Sequence, residues 1–258
     1  VNLLEWLTYR PWGGQFRELR GLVAYAEPES VEVYREQLPR VFAMPSRPLI
    51  AVLLIDYLGV APWPLVRYGE WTMLLRCVSR DHRGHGETGW FPLVMPVTTW
   101  VACTGGRHLG FPKAVCESIE LGPAPDNGAK LACPQGAMLG RGVAGGREEL
   151  RMAFAPGRDR EEHWLRPLDV AGSLLAGTLF TLKPIGVGPK VRRVRFIDAA
   201  AEPGTWAMTR GMVEISGDHQ LLCDGLLPRP RRFPGAVHHF RGSMNLFWEP
   251  VGRNATGR

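Results

Sequence analysis

LIAVLLIDY, residues 49–57, holds a single charge, Asp56, among β-branched and leucine side chains. Its apolar positions fall on odd and even numbers alike, which predicts a central strand buried on both faces. Residues 70–78 (EWTMLLRCV) and 89–95 (GWFPLVM) are also strand-like. The polar, glycine-containing stretch between them, residues 79–88 (SRDHRGHGET), makes them an antiparallel pair. Upstream, residues 29–42 (ESVEVYREQLPRVF) predict a helix: Ser30 can cap it, Val31, Tyr34 and Leu38 share a face, and Pro39 limits its far end. Residues 98–104 (TTWVACT) predict one or two helical turns, stopped by Gly105-Gly106. Beyond Lys113, strands are predicted at 115–121, 129–133, 149–154, 178–182, 191–197 and 212–215, between Gly, Pro and Asn signals. In residues 190–195 (KVRRVR) valine alternates with basic residues, as in a strand with one solvated face. No repeat is visible and no linker divides the chain. One α+β domain over residues 1–250 is expected, mainly antiparallel sheet, curved or barrel-like with a few helices, followed by a disordered tail at 251–258.

Composition narrows the function classes. The 258 residues are 45% apolar and 22% charged, which provides a sizeable core and argues against wholesale disorder. Thirty-one glycines and 22 prolines are too many breakers for a helical bundle. The five cysteines are odd in number and form no C-x-x-C, which disfavours structural zinc and fits a reduced, cytoplasmic setting. The net charge of +6 is spread along the chain, with small clusters at residues 190–195 and 229–232 (RPRR). No nucleic-acid partner is expected, and a mild cationic bias suits small anionic substrates. No apolar run approaches the ~18–20 residues of a membrane span. The first ten residues (VNLLEWLTYR) lack a basic region ahead of a long apolar core, so no membrane or secretory segment is predicted.

The most distinctive stretch for chemistry is residues 105–113, GGRHLGFPK. Pro112 fixes its own φ and pushes Phe111 towards an extended conformation, so the backbone presenting Lys113 is stiff. Leu109, Phe111, Ala114 and Val115 flank the lysine, and no acidic residue lies between Gly105 and Cys116. An ordinary lysine, with pKa ~10.4, is well under 0.1% neutral amine at pH 7. Burial among apolar neighbours lowers such a group by up to ~3–5 units, enough for it to attack a ketone. The same residues also read as a surface lysine in a turn. Other constellations carry less. Asp81, His82, His85 and Glu87 have metal-binding side chains but sit in one polar loop with no second half, so no metal is expected. His238-His239 face opposite sides of a strand, and Gly105-Gly106 lacks phosphate-loop spacing. Trp90, Phe91, Trp100 and Phe111 read as core or pocket wall.

The Gly-Phe-Pro-Lys segment resembles the motif of the acetoacetate decarboxylase superfamily, in which Gly-Arg-Glu leads into Gly-Phe-Pro-Lys-Lys. The flanking segments are similar too: residues 48–50 (PLI), 68–70 (YGE), 90–95 (WFPLVM), 145–150 (GGREEL) and 181–185 (TLKPI). The resemblance spans about residues 22–248. It implies a Schiff base on Lys113 and a proton-moving carboxylate, Glu70, facing it. An arginine near the N-terminus would position the carboxylate or the substrate; Arg17 and Arg20 both qualify, Arg20 ahead of Arg17. Leu53, Met95 and Phe111 complete the substrate site. Activation of the lysine is the established behaviour of acetoacetate decarboxylase itself, carried over with the resemblance.

The departures matter. Ala114 replaces the family's second lysine, Gly106-Arg107-His108 replaces Gly-Arg-Glu, the loop to Lys113 is one residue shorter, and Leu53 falls where a second carboxylate is expected. These changes imply a more apolar pocket and a bulkier substrate than acetoacetate. The expected activity is that of a Schiff-base lyase on a keto acid or related carbonyl compound, by decarboxylation, aldol-type or dehydration chemistry. No metal or organic cofactor is required. The family implies a homo-oligomer. The second reading is a non-covalent binding protein, or a catalyst acting through pocket shape, for a larger apolar ligand.

Overall fold

A computed structural model describes residues 14–26, 28, 31–61, 67–80, 86–123, 137–154, 178–184, 189–201, 208–215 and 235–248. In chain order the elements are β1 (Gly14–Ala26), α1 (Val31–Gln37), β2 (Phe42–Ala43), β3 (Ile50–Ala61), β4 (Tyr68–Arg80), β5 (Gly86–Val97), α2 (Trp100–Leu109) and β6 (Lys113–Val115). Then follow β7 (Ser118–Pro123), β8 (Met138–Ala144), β9 (Arg147–Phe154), β10 (Thr178–Pro184), β11 (Pro189–Ala201), β12 (Met208–Ile215) and β13 (Gly235–Trp248). The strands join in one curved, antiparallel-dominated sheet ordered β1-β3-β4-β5-β10-β11-β13-β12-β9-β8-β7. Two short strands lie off this path, β2 on β4 and β6 on β5, and β13 also pairs with β1.

β3 shows why the sheet has two cores. It pairs antiparallel with both β1 and β4. Because strand side chains alternate, Leu53, Ile55 and Tyr57 enter one cluster with Leu19, Met95 and Phe111. Ile50, Val52 and Leu54 enter the other, with Trp71, Leu150 and Met152, where β9 covers the sheet. The two-faced burial expected of residues 49–57 is therefore present. So is the β4–β5 pair, whose strands run to Arg80 and from Gly86, further than the sequence indicated.

Several boundaries move. The helix expected at 29–42 is α1 alone, Val31–Gln37, because Pro39 cannot continue it and Phe42 is already paired with Ser79 in β2. Tyr34 and Leu38 are buried as expected, while Ser30 lies outside the described residues. The glycine stop at 105–106 is overridden: α2 runs from Trp100 to Leu109, straight through both glycines. Thr99 caps its start, Oγ1 accepting from the Ala102 N–H at 3.3 Å, and Gly110 ends it. The strand expected at 115–121 is split into β6 and β7. In β11, Val191 and Val194 are three residues apart and reach opposite cores, so neither face is purely solvated. Trp100, expected in the core or a pocket wall, is 71% exposed. The expected strand at 129–133 and the tail at 251–258 lie outside the described residues. Among the described residues no helix is long and apolar enough to cross a membrane.

Candidate active site

Each residue of Gly-Phe-Pro-Lys has a separate geometric task. Gly110 takes φ = +91°, a left-handed conformation disfavoured for residues with a Cβ, and a Cβ there would also lie 2.7 Å from the Leu182 carbonyl oxygen. The Gly110 N–H donates to the Arg107 carbonyl and the Phe111 N–H to that of Gly106, a Schellman closure of α2. From β10, the Thr181 hydroxyl donates to the carbonyl of Leu109 at 2.8 Å. Pro112 then sits at the centre of a three-residue turn, with the Lys113 N–H donating to the Phe111 carbonyl at 2.8 Å. The chain enters β6, parallel to β5, with Lys113 opposite Met95. Arg107 Nε donates to the Lys113 carbonyl at 2.6 Å, with the Cys103 thiol 3.6 Å from the same oxygen. The backbone of Lys113 is thus held by α2.

Glu70 comes from β4, where its Cα pairs with Ile55 of β3 and Val97 of β5. Thr98 fixes the preceding residue twice: its hydroxyl accepts from the Gly69 N–H at 2.9 Å, and its own N–H donates to the Gly69 carbonyl at 3.1 Å. Lys113 Nζ donates to Glu70 Oε2 at 2.5 Å. The Thr72 hydroxyl donates to the other oxygen, Oε1, at 3.1 Å. Lys113 is 7% exposed and Glu70 3%. The Lys113 amine lies 5.4 Å from the Tyr68 ring centre and 6.0 Å from that of Phe111, within cation–π range. Tyr68 stacks on Tyr57, ring centres 4.5 Å apart. Burial, and next the Glu70 charge, hold both phenols well above the usual tyrosine pKa. They remain protonated donors at any ordinary pH.

Lys113 and Glu70 are therefore in contact, 43 residues apart in sequence. The lysine lacks a local counter-charge, as its neighbours indicated, but β4 supplies one across the sheet. Met95 and Phe111 belong to the same buried cluster, and so does Leu53, whose Cα partner is Thr72. Arg20 is elsewhere. Its Nε and Nη2 donate to Asp56 Oδ2 at 3.1 and 2.9 Å, and Nη2 also donates to the Leu121 carbonyl. Asp56 follows Leu54 on the side of β3 facing away from Lys113, so Arg20 serves that side. The side chain of Arg17 lies outside the described residues, as do Asp81, His82 and His85. Glu87, the fourth member of that cluster, accepts from Thr178 and Arg193 at 2.6 Å each. No group of three His, Cys, Asp or Glu side chains suited to a metal occurs among the described residues.

Sequence reasoning missed Thr72, Tyr57 and Thr98. Thr72 was within reach, since residues two apart on a strand share a face and Thr72 follows Glu70 at that spacing. It also missed the packing role of Gly106, whose Cα faces the Lys113 stem. A Cβ there would lie 2.5 Å from Lys113 Cε and closer still to Cδ.

A buried amine touching a buried carboxylate, walled by aromatic rings on a curved sheet, defines a protein in which a proton can pass between two groups shielded from water. The family described as acetoacetate decarboxylase (ADC) matches residues 25–168, more than half of the chain, including Glu70, Thr72 and Lys113. The chain belongs to the acetoacetate decarboxylase family. No curated protein matches it. Among solved structures, acetoacetate decarboxylase from Legionella pneumophila superposes with a TM-score of 0.70 at 16% identity, covering 93% of this chain and 87% of that one. The enduracididine biosynthesis enzyme MppR complexed with pyruvate gives 0.62 at 15% identity, over 90% and 87%. An acetoacetate decarboxylase-like enzyme from Sphingomonas wittichii RW1 gives 0.62 at 16% identity, over 93% of both. At these identities the likeness is one of fold.

Proposed function

We propose that the chain is a Schiff-base-forming lyase acting on a small keto acid or related carbonyl compound. Lys113 is the nucleophile and Glu70 the proton carrier. The observation that carries this reading is the buried 2.5 Å contact between Lys113 Nζ and Glu70 Oε2. Moving the ammonium proton onto Glu70 leaves an amine and a carboxylic acid, both neutral, where burial penalises charge. The amine attacks the carbonyl carbon, forming a C–N bond while the carbonyl electron pair moves to oxygen. A proton passes from nitrogen to that oxygen, giving a neutral carbinolamine. Glu70 then protonates the hydroxyl, water leaves, and the nitrogen lone pair closes the iminium. The cation stays beside the Tyr68 ring with the Glu70 carboxylate as its counter-ion. With a 3-keto acid, the bond from the adjacent carbon to the carboxylate then breaks and CO2 leaves; the released pair forms a C=C bond while the C=N π pair moves onto nitrogen, giving a neutral enamine.

Family membership supports carbonyl chemistry, and pyruvate, the ligand in the MppR complex, is a 2-keto acid. Leu53 and Ala114 point to a substrate more apolar than acetoacetate. Borohydride trapping with small 2- and 3-keto acids, read by mass spectrometry, tests the reading. A mass gain on the wild type that vanishes in Lys113→Ala is expected; a gain that persists in Lys113→Ala overturns it.

A further inference from the structure

We infer that Thr72 is a positioning residue for the proton step, fixing which oxygen of Glu70 meets the amine. The inference rests on the Schiff-base reading and adds to it a residue outside the motif. The two oxygens of Glu70 are divided between two donors: Oε2 takes the Lys113 ammonium and Oε1 takes the Thr72 hydroxyl. Thr72 is 3% exposed, on the same strand and face as Glu70.

A carboxylate at the end of a glutamate turns readily, because its terminal torsion is broad and nearly two-fold. With Lys113 alone as partner, the departure of the ammonium proton would leave the group free to swing. The hydroxyl at Oε1 holds the carboxylate plane through that event, so one oxygen both receives the proton and returns it to the carbinolamine hydroxyl. A threonine hydroxyl has a single proton to donate, and here it goes to Oε1. The groups facing Glu70 from neighbouring elements among the described residues are Lys113 from β6, with Tyr57 of β3 and Tyr68 of β4 near enough to feel the Glu70 charge. The two phenols are neutral, which leaves the threonine as the neutral group in direct hydrogen bond with the carboxylate. Across the pairing, the Leu53 side chain offers no polar atom to compete for the Thr72 hydroxyl.

Thr72→Val removes the hydroxyl while keeping a β-branched side chain of matching shape, and Thr72→Ser keeps the hydroxyl while removing the methyl. Lys113 modification is followed against pyruvate and phenylpyruvate concentration with cyanoborohydride present, alongside thermal unfolding. Thr72→Val is expected to lower the maximal rate roughly tenfold to a hundredfold, the span that one lost hydrogen bond to a charged group represents. The half-saturating ketone concentration should stay unchanged, and Thr72→Ser should recover most of the rate. If Thr72→Val fails to fold, Thr72→Ala takes its place against the same Ser control. A Val or Ala variant as fast as the wild type overturns the assignment, and so does a Ser variant as slow as Val. A wild type that is never modified overturns the Schiff-base reading, and the assignment with it; modification lost only in Lys113→Ala keeps that reading intact whatever Thr72 does.

Discussion

Gly106→Ala separates the chemistry of the site from the stability of the fold. A methyl at this position would stand 2.5 Å from Lys113 Cε and 3.0 Å from Cγ, with Cδ nearer still. Ordinary contact begins near 3.4 Å, so the lysine stem has to retreat by about 1 Å. It cannot do so at its base, because β5 pairing and the Arg107 and Cys103 contacts hold that backbone. The movement therefore falls on the end of the stem, and the amine leaves its place against Glu70. A misplacement of ~1 Å at a reacting group lowers rate by roughly a hundredfold. Stability moves much less: alanine gains about 0.8–1.0 kcal/mol over glycine inside a helix, against overpacking of about 1–3 kcal/mol. With about 2–4 °C per kcal/mol for a chain of this size, the Tm should stay within several degrees of the wild type. The assay is the rate of Lys113 modification by pyruvate with cyanoborohydride, alongside a thermal melt. A Gly106→Ala protein that is modified at the wild-type rate, with its melt unchanged, refutes the placement of the lysine stem against α2.

Gly110→Ala should behave in the opposite way, because its obstacle is backbone: left-handed φ costs a residue with a Cβ about 1–2 kcal/mol, and the Leu182 carbonyl cannot step aside. A Tm lowered by roughly 5–15 °C is expected in the melt, and an unchanged Tm contradicts the cap geometry. Alkaline titration provides a third check. Tyr25, Tyr57 and Tyr68 are raised well beyond the usual tyrosine value by burial, and Tyr34 is pushed up to about 12. Above pH ~10 the unfolded chain loses these phenolic protons while the folded chain keeps them, so stability falls as pH rises. The native absorbance step near pH 10 should correspond to no more than one of the five tyrosines. In Glu70→Gln, where the negative charge is gone, Tyr57 and Tyr68 should ionise at lower pH; four or five phenols ionising together near pH 10 in the folded wild type contradict their burial.

What the sequence disclosed follows from how local each cause is. The apolar run at residues 49–57 announced a strand between two cores because its neighbours on both faces are apolar, and that is visible one residue at a time. The length of α2 was not visible. Glycine reads locally as a helix breaker, whereas Gly106 is explained only by a lysine stem arriving from beyond the helix. Glu70 was indicated by resemblance, since nothing near Lys113 announces an acid 43 residues away. Arg20 was indicated by resemblance alone, and no local signal in β1 says which face of the sheet an arginine there will serve. Asp56 takes Arg20 to the other side.

Register also explains why a lysine and a glutamate meet here. β5 lies between the two strands that carry them, with Glu70 opposite Val97 and Lys113 opposite Met95. The two side chains thus start one strand apart on either side, about 9.5 Å across the sheet, and two residues apart along it, about 7 Å. Only long side chains leaning towards each other over Met95 and Val97 bridge that span; an aspartate in place of Glu70 would be one methylene short. A slip of one residue in β6 against β5 would turn the lysine to the opposite face. The Schellman closure at Gly110 and the turn at Pro112 set that register before β6 begins. The rigidity of Gly-Phe-Pro therefore acts on where the amine lands, and only through that placement on its chemistry.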